Sequence, residues 1–454
     1  MPTAVAIPPG TDSPQYFQSM SDLLFVNASQ IITCAGPPRA RRGHEMSEIG
    51  ILKNAAVAVS NGRIAMIGAA SDLRNAYAEA EIVDCKSGVL TPGLVDSHTH
   101  AVFGKARFEE HEQRAAGLDY MEIAKRGGGI HSSVRDFRER DEDELFAMAV
   151  PRLRELASYG TTTLEIKSGY GLTTDAELKA LAVIARLAER ERLRIVATWL
   201  GAHEIPHDYR TDKNRRQEFV DGLAGDQLSR VIAQGIAKFA DVFCEPGVFA
   251  VDESRRILGA ARKAGLALKL HADELKPSGG AELAVEIGAT SADHLAAISK
   301  TGVSALAGSN TVATLLPGTM MFLGKSGQAP ARDLIDAGAA VALGTDFNPG
   351  TSPTVNFPLI MTLGVSQLHM SLAEVVIACT VNGAAALGLA DEIGQIAPGF
   401  SADLALFAIT DIRELPYWYG ARLCVGSWKA GAPCHPYETV TKLNARPPEV
   451  VPAG

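Results

Sequence analysis

Short apolar runs alternate with helical patterns through most of the chain. After residue 93, eight apolar runs follow one another, and a helical periodicity of apolar residues separates most of them. The runs read GLVDSHTH, GTTTLEIKSGYG, IVATWLGAHEIP, ADVFCEPGVF, LALKLHADEL, TSADHL, NTVATLLPG and AVALGTDFNPG. Parallel strands that are buried on both faces and connected by helices give this pattern. It therefore predicts an α/β fold with a (β/α)8 TIM-like barrel.

The two ends of the chain show a different pattern, typical of short antiparallel strands. Two apolar runs flank Asn61-Gly62 in AAVAVSNGRIAMIG, and this dipeptide favours a type I′ hairpin turn because both central residues take positive φ. Short strands return in GQIAPGFSADLALFAI and ARLCVGSWKAG. We therefore predict an N-terminal extension over residues 1–20, a small β-sandwich domain from residues 21–90 and 391–454, and a catalytic barrel over residues 91–390.

Two helices begin with predicted capping boxes. In a capping box, a hydroxyl side chain and a glutamate three residues later each bind the other residue's backbone N–H. Thr174 with Glu177 and Ser371 with Glu374 have this spacing. We expect one helix to start at each pair.

Composition and charge narrow the class of protein. The chain of 454 residues is 46% hydrophobic, enough for a large core, and its net charge of −9 leaves no broad basic surface for nucleic acid or anionic lipid. We therefore expect a small-molecule substrate. The six cysteines form no C-x-x-C pair, and neither a signal peptide nor an apolar run of about 18 residues occurs. These features predict a cytoplasmic protein with no nucleic-acid or membrane partner.

Titratable side chains end every predicted barrel strand except the seventh. The C-terminal strand ends of such a barrel form one catalytic mouth, so we expect convergence there of His98, His100, Lys167, His203, Glu245, His271, Glu274, His294 and Asp346. Side chains at i and i+2 of a strand share a face, so the H-x-H pair points to the barrel axis. This pair, with a later histidine and aspartate, indicates a metal site suited to zinc and also to iron.

Several motifs resemble those of known enzymes. GLVDSHTH, HADEL, SADHL and GTDFNPG are similar to the strand-end motifs of the amidohydrolase superfamily of metal-dependent barrel hydrolases. HTHAVFGKARFEEHEQRAAGLDYMEIAKRGGGI, EIKSGYGL and LGAHEIP further resemble the imidazolonepropionase family, and the likeness covers about residues 45–430. It implies an enzyme that opens the ring of 4-imidazolone-5-propanoate to N-formimidoyl-L-glutamate in histidine degradation.

The resemblance also implies a role for each matching residue. One Zn²⁺ or Fe³⁺ ion per subunit would be held by His98, His100, His271 and Asp346. Arg107 would bind the propionate carboxylate through the paired donors of its guanidinium. Further substrate contacts would come from Tyr170, His203, Glu274, Asn348, Gly350 and Thr351.

The reaction itself would involve three residues. Glu274 or Asp346 would act as the base, and the sequence leaves this choice open. His294 would donate a hydrogen bond to the carbonyl oxygen as negative charge develops there. The resemblance also suggests a homodimer.

Two other functions fit parts of the pattern. A deaminase of the same superfamily, acting on a nitrogen heterocycle of the cytosine or guanine type, also has H-x-H, a later H-x-x-E, a histidine and an aspartate. The metal ligands therefore do not separate ring opening from loss of ammonia. A non-catalytic barrel homologue is less favoured because all four ligands persist. In some relatives a carbamylated lysine bridges a second metal; the EIKSGYG context of Lys167 favours a single metal instead.

Overall fold

The structure is a computed structural model that describes residues 22–118, 122–123, 127–210 and 212–437. The predicted N-terminal extension, residues 1–20, lies outside the described residues. The strands of the described part, numbered in chain order, are β1 (Leu23–Val26), β2 (Gln30–Ile32), β3 (Ile51–Leu52), β4 (Ala55–Ser60), β5 (Arg63–Ala69), β6 (Glu81–Asp84), β7 (Val89–Pro92), β8 (Leu94–Asp96), β9 (Thr161–Lys167), β10 (Arg194–Ala202), β11 (Phe239–Cys244), β12 (Ala267–Ala272), β13 (Ser291–His294), β14 (Val312–Leu315), β15 (Val341–Leu343), β16 (Leu404–Phe407), β17 (Cys424–Lys429) and β18 (Ala432–His435).

Strands β8 to β15 form one eight-stranded sheet in which every strand pairs with its neighbours in the sequence. All of these pairs are parallel, and each strand coincides with one of the eight predicted apolar runs, although β10 and β11 each begin one residue before the run. Beyond β8 and β15, the amide of His100 donates to the carbonyl of Phe347 at 2.8 Å, and the amide of Asp346 donates to the carbonyl of His98 at 3.0 Å. These bonds close the sheet and confirm the predicted (β/α)8 barrel.

Helices connect the barrel strands and pack against them. None of the helices in the described part of the chain is long and apolar enough to cross a membrane. A 3-10 helix covers Gly43–Ser47 and a π-helical turn covers Leu223–Gln227. The α-helices of the described residues are Ala70–Ala76, Phe108–Ala115, Ile130–Glu139, Glu142–Ser158, Thr174–Arg190, His207–Arg210, Lys213–Gly222, Leu228–Gln234, Val251–Lys263, Gly280–Glu286, Lys300–Ala307, Pro317–Phe322, Ala331–Asp336, Phe357–Ser366, Leu372–Ala378, Val381–Ala385 and Glu414–Tyr417.

One of the two predicted capping boxes forms. The Ser371 hydroxyl accepts from the Glu374 amide at 3.3 Å, and the Glu374 carboxylate accepts from the Ser371 amide at 2.7 Å. The box predicted at Thr174 is wrong, because the N-cap of that helix is Thr173 and its side chain makes no cap hydrogen bond. The Glu177 carboxylate binds backbone N–H groups of the preceding loop instead.

Two further sheets are built from the ends of the chain, and the second of them contains strands from both ends. One has the order β5-β4-β1-β6, and the other has the order β18-β17-β16-β7-β2-β3. The hairpin at Asn61-Gly62 connects β4 to β5, and both of its central residues have positive φ. The ring of Phe25 meets the ring of Trp428 edge to face at 5.0 Å in the core between the sheets. The small β-sandwich from both chain ends is confirmed, while the domain boundaries at residues 90 and 390 remain a prediction.

A buried aspartate ties the first barrel strand to the loop after the last one. Asp96 accepts from the Thr345 amide at 3.0 Å and from the Thr345 hydroxyl at 2.6 Å. Burial raises the pKa of Asp96 to about 7, and the two hydrogen bonds from Thr345 oppose that rise. The Thr345 hydroxyl therefore satisfies an oxygen that has no contact with water.

Replacing Thr345 with valine should destabilise the barrel where it closes. Thr345→Val leaves a buried carboxyl oxygen without its donor, so we expect the free energy of unfolding to fall by about 1–3 kcal/mol. Urea denaturation of metal-free protein measures this change. Thr345→Ser is the control, because it keeps the hydroxyl and loses one methyl group, worth about 1 kcal/mol. Equal losses in both variants would contradict the role given to the hydroxyl.

Candidate metal centre and active site

Five of the predicted site residues meet at the C-terminal mouth of the barrel. The ligand atoms of His98, His100 and His271 lie within 4.8 Å of one another, and so do those of His98, His294 and Asp346. All five side chains are buried. The barrel thus brings together residues that are up to 248 positions apart, counted from His98 to Asp346 (346 − 98).

Three imidazole nitrogens in this cluster have the properties of unused metal ligands. Nε2 of His98, Nε2 of His271 and Nδ1 of His100 are buried without a hydrogen-bond partner. Burial and nearby positive groups hold the pKa values of His98 and His100 well below the ordinary value, so both rings are neutral. Buried imidazoles with unpartnered nitrogens, together with a carboxylate, are a donor set that fits a divalent metal.

Two buried aspartates hold the rings of the ligand histidines. Oδ2 of Asp293 lies 2.6 Å from Nδ1 of His98, and Oδ2 of Asp241 lies 3.0 Å from Nδ1 of His271. Burial opposes ionisation of Asp241, but His271 and Lys167 hold its pKa well below the ordinary value. An ionised carboxylate only accepts hydrogen bonds, so the proton of His271 sits on Nδ1 and its Nε2 is left for a metal.

Asp346 reaches the cluster with one oxygen and is held by the other. Its Oδ1 lies 3.5 Å from Nε2 of His98 and 3.6 Å from Nε2 of His100. Its Oδ2 accepts from the Thr319 hydroxyl at 2.5 Å. Burial raises the pKa of Asp346 to about 6, against the effect of this hydrogen bond. Thr319 follows β14, the seventh barrel strand, so that strand also contributes to the centre, through a hydroxyl.

A network of buried charges lies beneath the ligand histidines. Nζ of Lys167 lies 2.7 Å from Oδ2 of Asp241 and 2.8 Å from Oε2 of Glu165. Burial alone would lower the pKa of Lys167, but the carboxylates of Asp241, Glu165 and Asp293 raise it above the ordinary value. Lys167 is therefore an ammonium ion. A carbamate bridge forms from a neutral amine, so this arrangement supports the single-metal interpretation.

Glu274 and His294 face each other beside the cluster. Oε2 of Glu274 lies 3.7 Å from Nε2 of His294. Burial, with the nearby carboxylates of Asp346 and Glu245, raises the pKa of Glu274 well above its ordinary value. Burial lowers the pKa of His294 well below its ordinary value. A carboxyl group that exchanges its proton nearer to neutral pH is suited to general acid–base catalysis.

Arg107 lies against the loop that follows β15. Its side chain is 6% exposed, and its Nε and Nη1 atoms are buried without a hydrogen-bond partner. Nε lies 3.8 Å from Oε2 of Glu110, beyond hydrogen-bond distance. A Cβ atom on Gly350 would lie only 1.1 Å from Nη2 of Arg107, so a side chain at position 350 would displace the guanidinium from this place. The guanidinium therefore keeps two donors available in a nearly dry site.

Asn348 organises the same loop. Its side-chain amide donates to the carbonyl of Asp346 at 2.7 Å, and its Oδ1 accepts from the amides of Gly350 and Thr351 at 2.8 Å each. The predicted substrate contacts at positions 348, 350 and 351 thus belong to one hydrogen-bonded turn directly after a metal-ligand candidate. The structure gives Asn348 a loop-forming role, and its contact with substrate stays a prediction.

Tyr170 and His203 line the neighbouring part of the mouth. The ring of His203 stacks on His100 with centroids 5.0 Å apart, and the ring of Tyr170 lies 5.5 Å from that of His203. Nδ1 of His203 lies 2.9 Å from the Gly169 carbonyl, and burial lowers the pKa of His203 to about 3. The Glu177 carboxylate accepts from the amides of Gly169, Gly171 and Leu172, so it holds the loop that carries Tyr170.

Several residues that hold the site were not predicted to belong to it. They are Glu165, Glu177, Asp241, Lys269, Asp293 and Thr319. One signal was present in the sequence: Glu165, Asp241 and Lys269 are charged residues inside otherwise apolar strand runs. A charge in a strand buried on both faces needs a partner, so each such position indicates a buried network.

Comparisons with known proteins give the family. The Amidohydrolase family model matches residues 89–433. An imidazolonepropionase of Clostridium tetani is 46% identical over 404 residues, covering 88% of this chain and 95% of the relative. An imidazolonepropionase of Chloroflexus aggregans is 44% identical over 408 residues, again covering 88% of this chain and 95% of the relative. An adenosine deaminase from Xanthomonas campestris, solved with bound Zn, has a TM-score of 0.68 at 20% identity, covering 92% of this chain and 93% of that chain.

These findings differ in what they establish. The likeness to the deaminase, at 20% identity, shows the fold alone. The two sequence relatives match over nearly their whole length, and the family model spans the barrel and parts of the flanking sheets. This chain therefore belongs to the amidohydrolase family of metal-dependent hydrolases and, within it, to the imidazolonepropionases.

Proposed function

We propose that this chain opens the ring of 4-imidazolone-5-propanoate by hydrolysis to give N-formimidoyl-L-glutamate in histidine degradation. The observation that carries the proposal is the buried guanidinium of Arg107, which has two unpartnered donors in the same mouth as the metal-ligand cluster. A guanidinium placed in this way selects a substrate that has a carboxylate. The two relatives described above carry the name of this activity.

One Zn²⁺ or Fe³⁺ ion per subunit is held in this proposal by His98, His100, His271 and Asp346. When bound, such an ion supplies Lewis-acid chemistry and lowers the pKa of a water molecule towards neutrality. The unpartnered nitrogens of the three histidines support this ligand set, as does the Asp346 oxygen that lies 3.5 Å from Nε2 of His98. Asp293 and Asp241 keep the rings of His98 and His271 in the required tautomer.

The remaining residues of the mouth position the substrate. Arg107 binds the propionate carboxylate, with Gly350 and Thr351 of the adjacent loop beside it. Tyr170 and His203 contact the imidazolone ring from the other side of the mouth. This placement directs the ring carbonyl to the centre of the cluster, because the carboxylate and the ring are held at opposite ends.

Proton transfer falls to Glu274, and oxyanion stabilisation falls to His294. Glu274 accepts a proton from the attacking water, and the water oxygen adds to the ring carbonyl carbon. His294 donates a hydrogen bond to the carbonyl oxygen as negative charge develops there. The bond between the carbonyl carbon and the ring nitrogen then breaks, and Glu274 returns the proton to that nitrogen. Asp346 is the less favoured base, because both of its oxygens are engaged, one with the cluster and one with Thr319.

We further propose that the protein is a cytoplasmic homodimer. All six cysteines are free and five of them are buried, which supports a reducing compartment. Exposed apolar side chains lie on elements that pack beside one another: Phe108, Met321, Val365 and Tyr417. Exposed apolar side chains on neighbouring helices favour a protein interface. Light scattering of the purified protein tests the homodimer, and a monomeric mass would exclude it.

The direct test of the reaction is incubation of the metal-loaded protein with 4-imidazolone-5-propanoate. We expect the ultraviolet absorbance of the ring to disappear and N-formimidoyl-L-glutamate to form, without release of ammonia. Ammonia release from cytosine or guanine, with no turnover of the imidazolone, would show a deaminase instead. No turnover of any of these substrates by protein with a full complement of metal would exclude the proposal.

Removal of one ligand histidine should abolish metal binding. His98→Ala removes a nitrogen that has no hydrogen-bond partner. Loss of a residue that only hydrogen-bonds a metal ligand weakens metal binding about 10- to 100-fold, so loss of the ligand itself should lower the affinity for zinc more than about 100-fold. Metal analysis after dialysis against zinc measures this. His131→Ala is the control, because His131 stacks on His207 outside the cluster. Full zinc content in the His98 variant would contradict the ligand assignment.

Substitution of Arg107 should affect substrate binding and spare the metal. Arg107→Ala removes the charge-assisted hydrogen bonds to the carboxylate, worth about 1.5–3 kcal/mol, so KM should rise about 10- to 100-fold. Arg107→Lys keeps the charge without the paired donors and should give an intermediate KM. Steady-state kinetics and metal analysis are measured on the same samples. An unchanged KM in the alanine variant would remove the carboxylate-binding role.

Glu274→Gln should keep the metal and lose turnover. Without a proton-accepting carboxylate, kcat should fall about 10²- to 10⁴-fold. Because the base works only when ionised and its pKa is raised, the wild-type rate should increase with pH on the acid side of the profile. The residual rate of the variant should lack this limb. Full activity in Glu274→Gln would assign the base to Asp346.

A further inference from the structure

A lysine beneath the ligand histidines has no part in the proposed reaction. Lys167 is completely buried, and its Nζ donates to Oδ2 of Asp241 at 2.7 Å and to Oε1 of Glu165 at 2.9 Å. The same Nζ lies 3.7 Å from Oδ2 of Asp293. We propose that Lys167 is a positioning residue of the metal centre, in which its ammonium group fixes by a hydrogen bond the Asp241 carboxylate that orients the ligand His271. The inference rests on the proposed function in one respect, namely that a metal binds at these ligands.

The two carboxylates connect Lys167 to different histidines. Oδ2 of Asp241 accepts from Lys167, and its Oδ1 accepts from the backbone amide of His271 at 3.1 Å, so the carboxylate is held at both ends beside the His271 ring. Oδ2 of Asp293 lies 2.6 Å from Nδ1 of His98 and faces the same ammonium group. Lys167 is thus hydrogen-bonded to the carboxylate beside His271, and it lies at ion-pair distance from the carboxylate beside His98.

The second buried lysine does not duplicate this arrangement. Nζ of Lys269 donates to the carbonyl oxygens of Ser97 at 3.0 Å and Ala386 at 3.4 Å. It lies 3.6 Å from Asp293 and 3.9 Å from Glu165, beyond hydrogen-bond distance from either carboxylate. Lys269 therefore contributes positive charge to the network, whereas Lys167 contributes both charge and fixed hydrogen bonds.

Loss of the Lys167 ammonium should release the Asp241 carboxylate and leave Asp293 with one nearby cation, Lys269. Glu165, Asp241 and Asp293 would then share one cation in a low-dielectric interior, where like charges repel strongly. Asp241 would also lose the donor that holds its Oδ2. Rotation of Asp241 removes the fixed orientation of the His271 ring, and changes of this type weaken metal binding about 10- to 100-fold.

The experiment compares Lys167→Met with Lys269→Met, which removes an equally buried charge from the same network. Zinc affinity of metal-free protein is measured by competition with a chromophoric chelator, and the visible absorption spectrum is recorded after loading with Co²⁺. We expect Lys167→Met to bind zinc about 10- to 100-fold more weakly and to show shifted Co²⁺ bands. Lys269→Met should retain the wild-type spectrum and most of the affinity, even if it lowers Tm.

Three results would overturn the inference. Wild-type zinc affinity and Co²⁺ bands in Lys167→Met would show that the ammonium does not position the ligands. An equal loss in Lys269→Met would show that any buried cation suffices. Both of these results leave the proposed function standing. The third result is a wild-type protein that binds neither zinc nor Co²⁺, and it would overturn both the inference and the proposed function.

Two other variants test the same connection if Lys167→Met does not fold, as circular dichroism would show. Asp241→Asn and Asp293→Asn keep the side-chain shape and remove the ion pair with Lys167. Each should weaken zinc binding about 10- to 100-fold while thermal unfolding remains cooperative. Wild-type affinity in both variants would overturn the inference.

Discussion

The contact between a buried carboxylate and Nδ1 of a ligand histidine is the interaction on which the centre depends. An imidazole binds a metal only through a nitrogen without a proton, and each ring has one such nitrogen when neutral. Asp293 and Asp241 take the Nδ1 side of His98 and His271, at 2.6 Å and 3.0 Å, and so leave Nε2 of both rings directed into the cluster. Without these contacts, H-x-H would still place two rings together but would not fix which nitrogen each ring presents.

Burial in the barrel separates the acidic side chains into two chemical classes. Desolvation favours the neutral form of every titratable group, and it raises the pKa of Glu274 well above the ordinary value. Asp241 is also buried, but His271 and Lys167 hold its pKa well below the ordinary value. The Glu274 carboxyl group is therefore able to exchange a proton, while the Asp241 carboxylate remains a fixed hydrogen-bond acceptor. The difference comes from the partners of each group, since desolvation alone would raise both pKa values.

The loops at the mouth are held by polar side chains that bind backbone N–H groups. Glu177 holds the loop that carries Tyr170, and Asn348 holds the turn after Asp346. Glu110 accepts from the amide of Gly129 at 2.8 Å and lies beside Arg107. Irregular backbone near a buried site has unsatisfied donors, and these side chains satisfy them. The substrate-facing residues are positioned in this way without regular secondary structure.

The sequence by itself determined the eight barrel strands and the hairpin at Asn61-Gly62, because strand periodicity and turn preference act over a few neighbouring residues. The convergence of the histidines followed from the predicted barrel, because the C-terminal ends of its strands share one mouth. The helix at Thr174 shows the limit of such local rules: its spacing fits a capping box, but Glu177 binds the preceding loop. Only the tertiary structure decided the partners of the ligands. Asp293 is 195 residues from His98, and such a contact depends on how the strands are staggered around the barrel. Spacing along the chain does not encode that stagger, so the supporting charges became visible only in the folded protein.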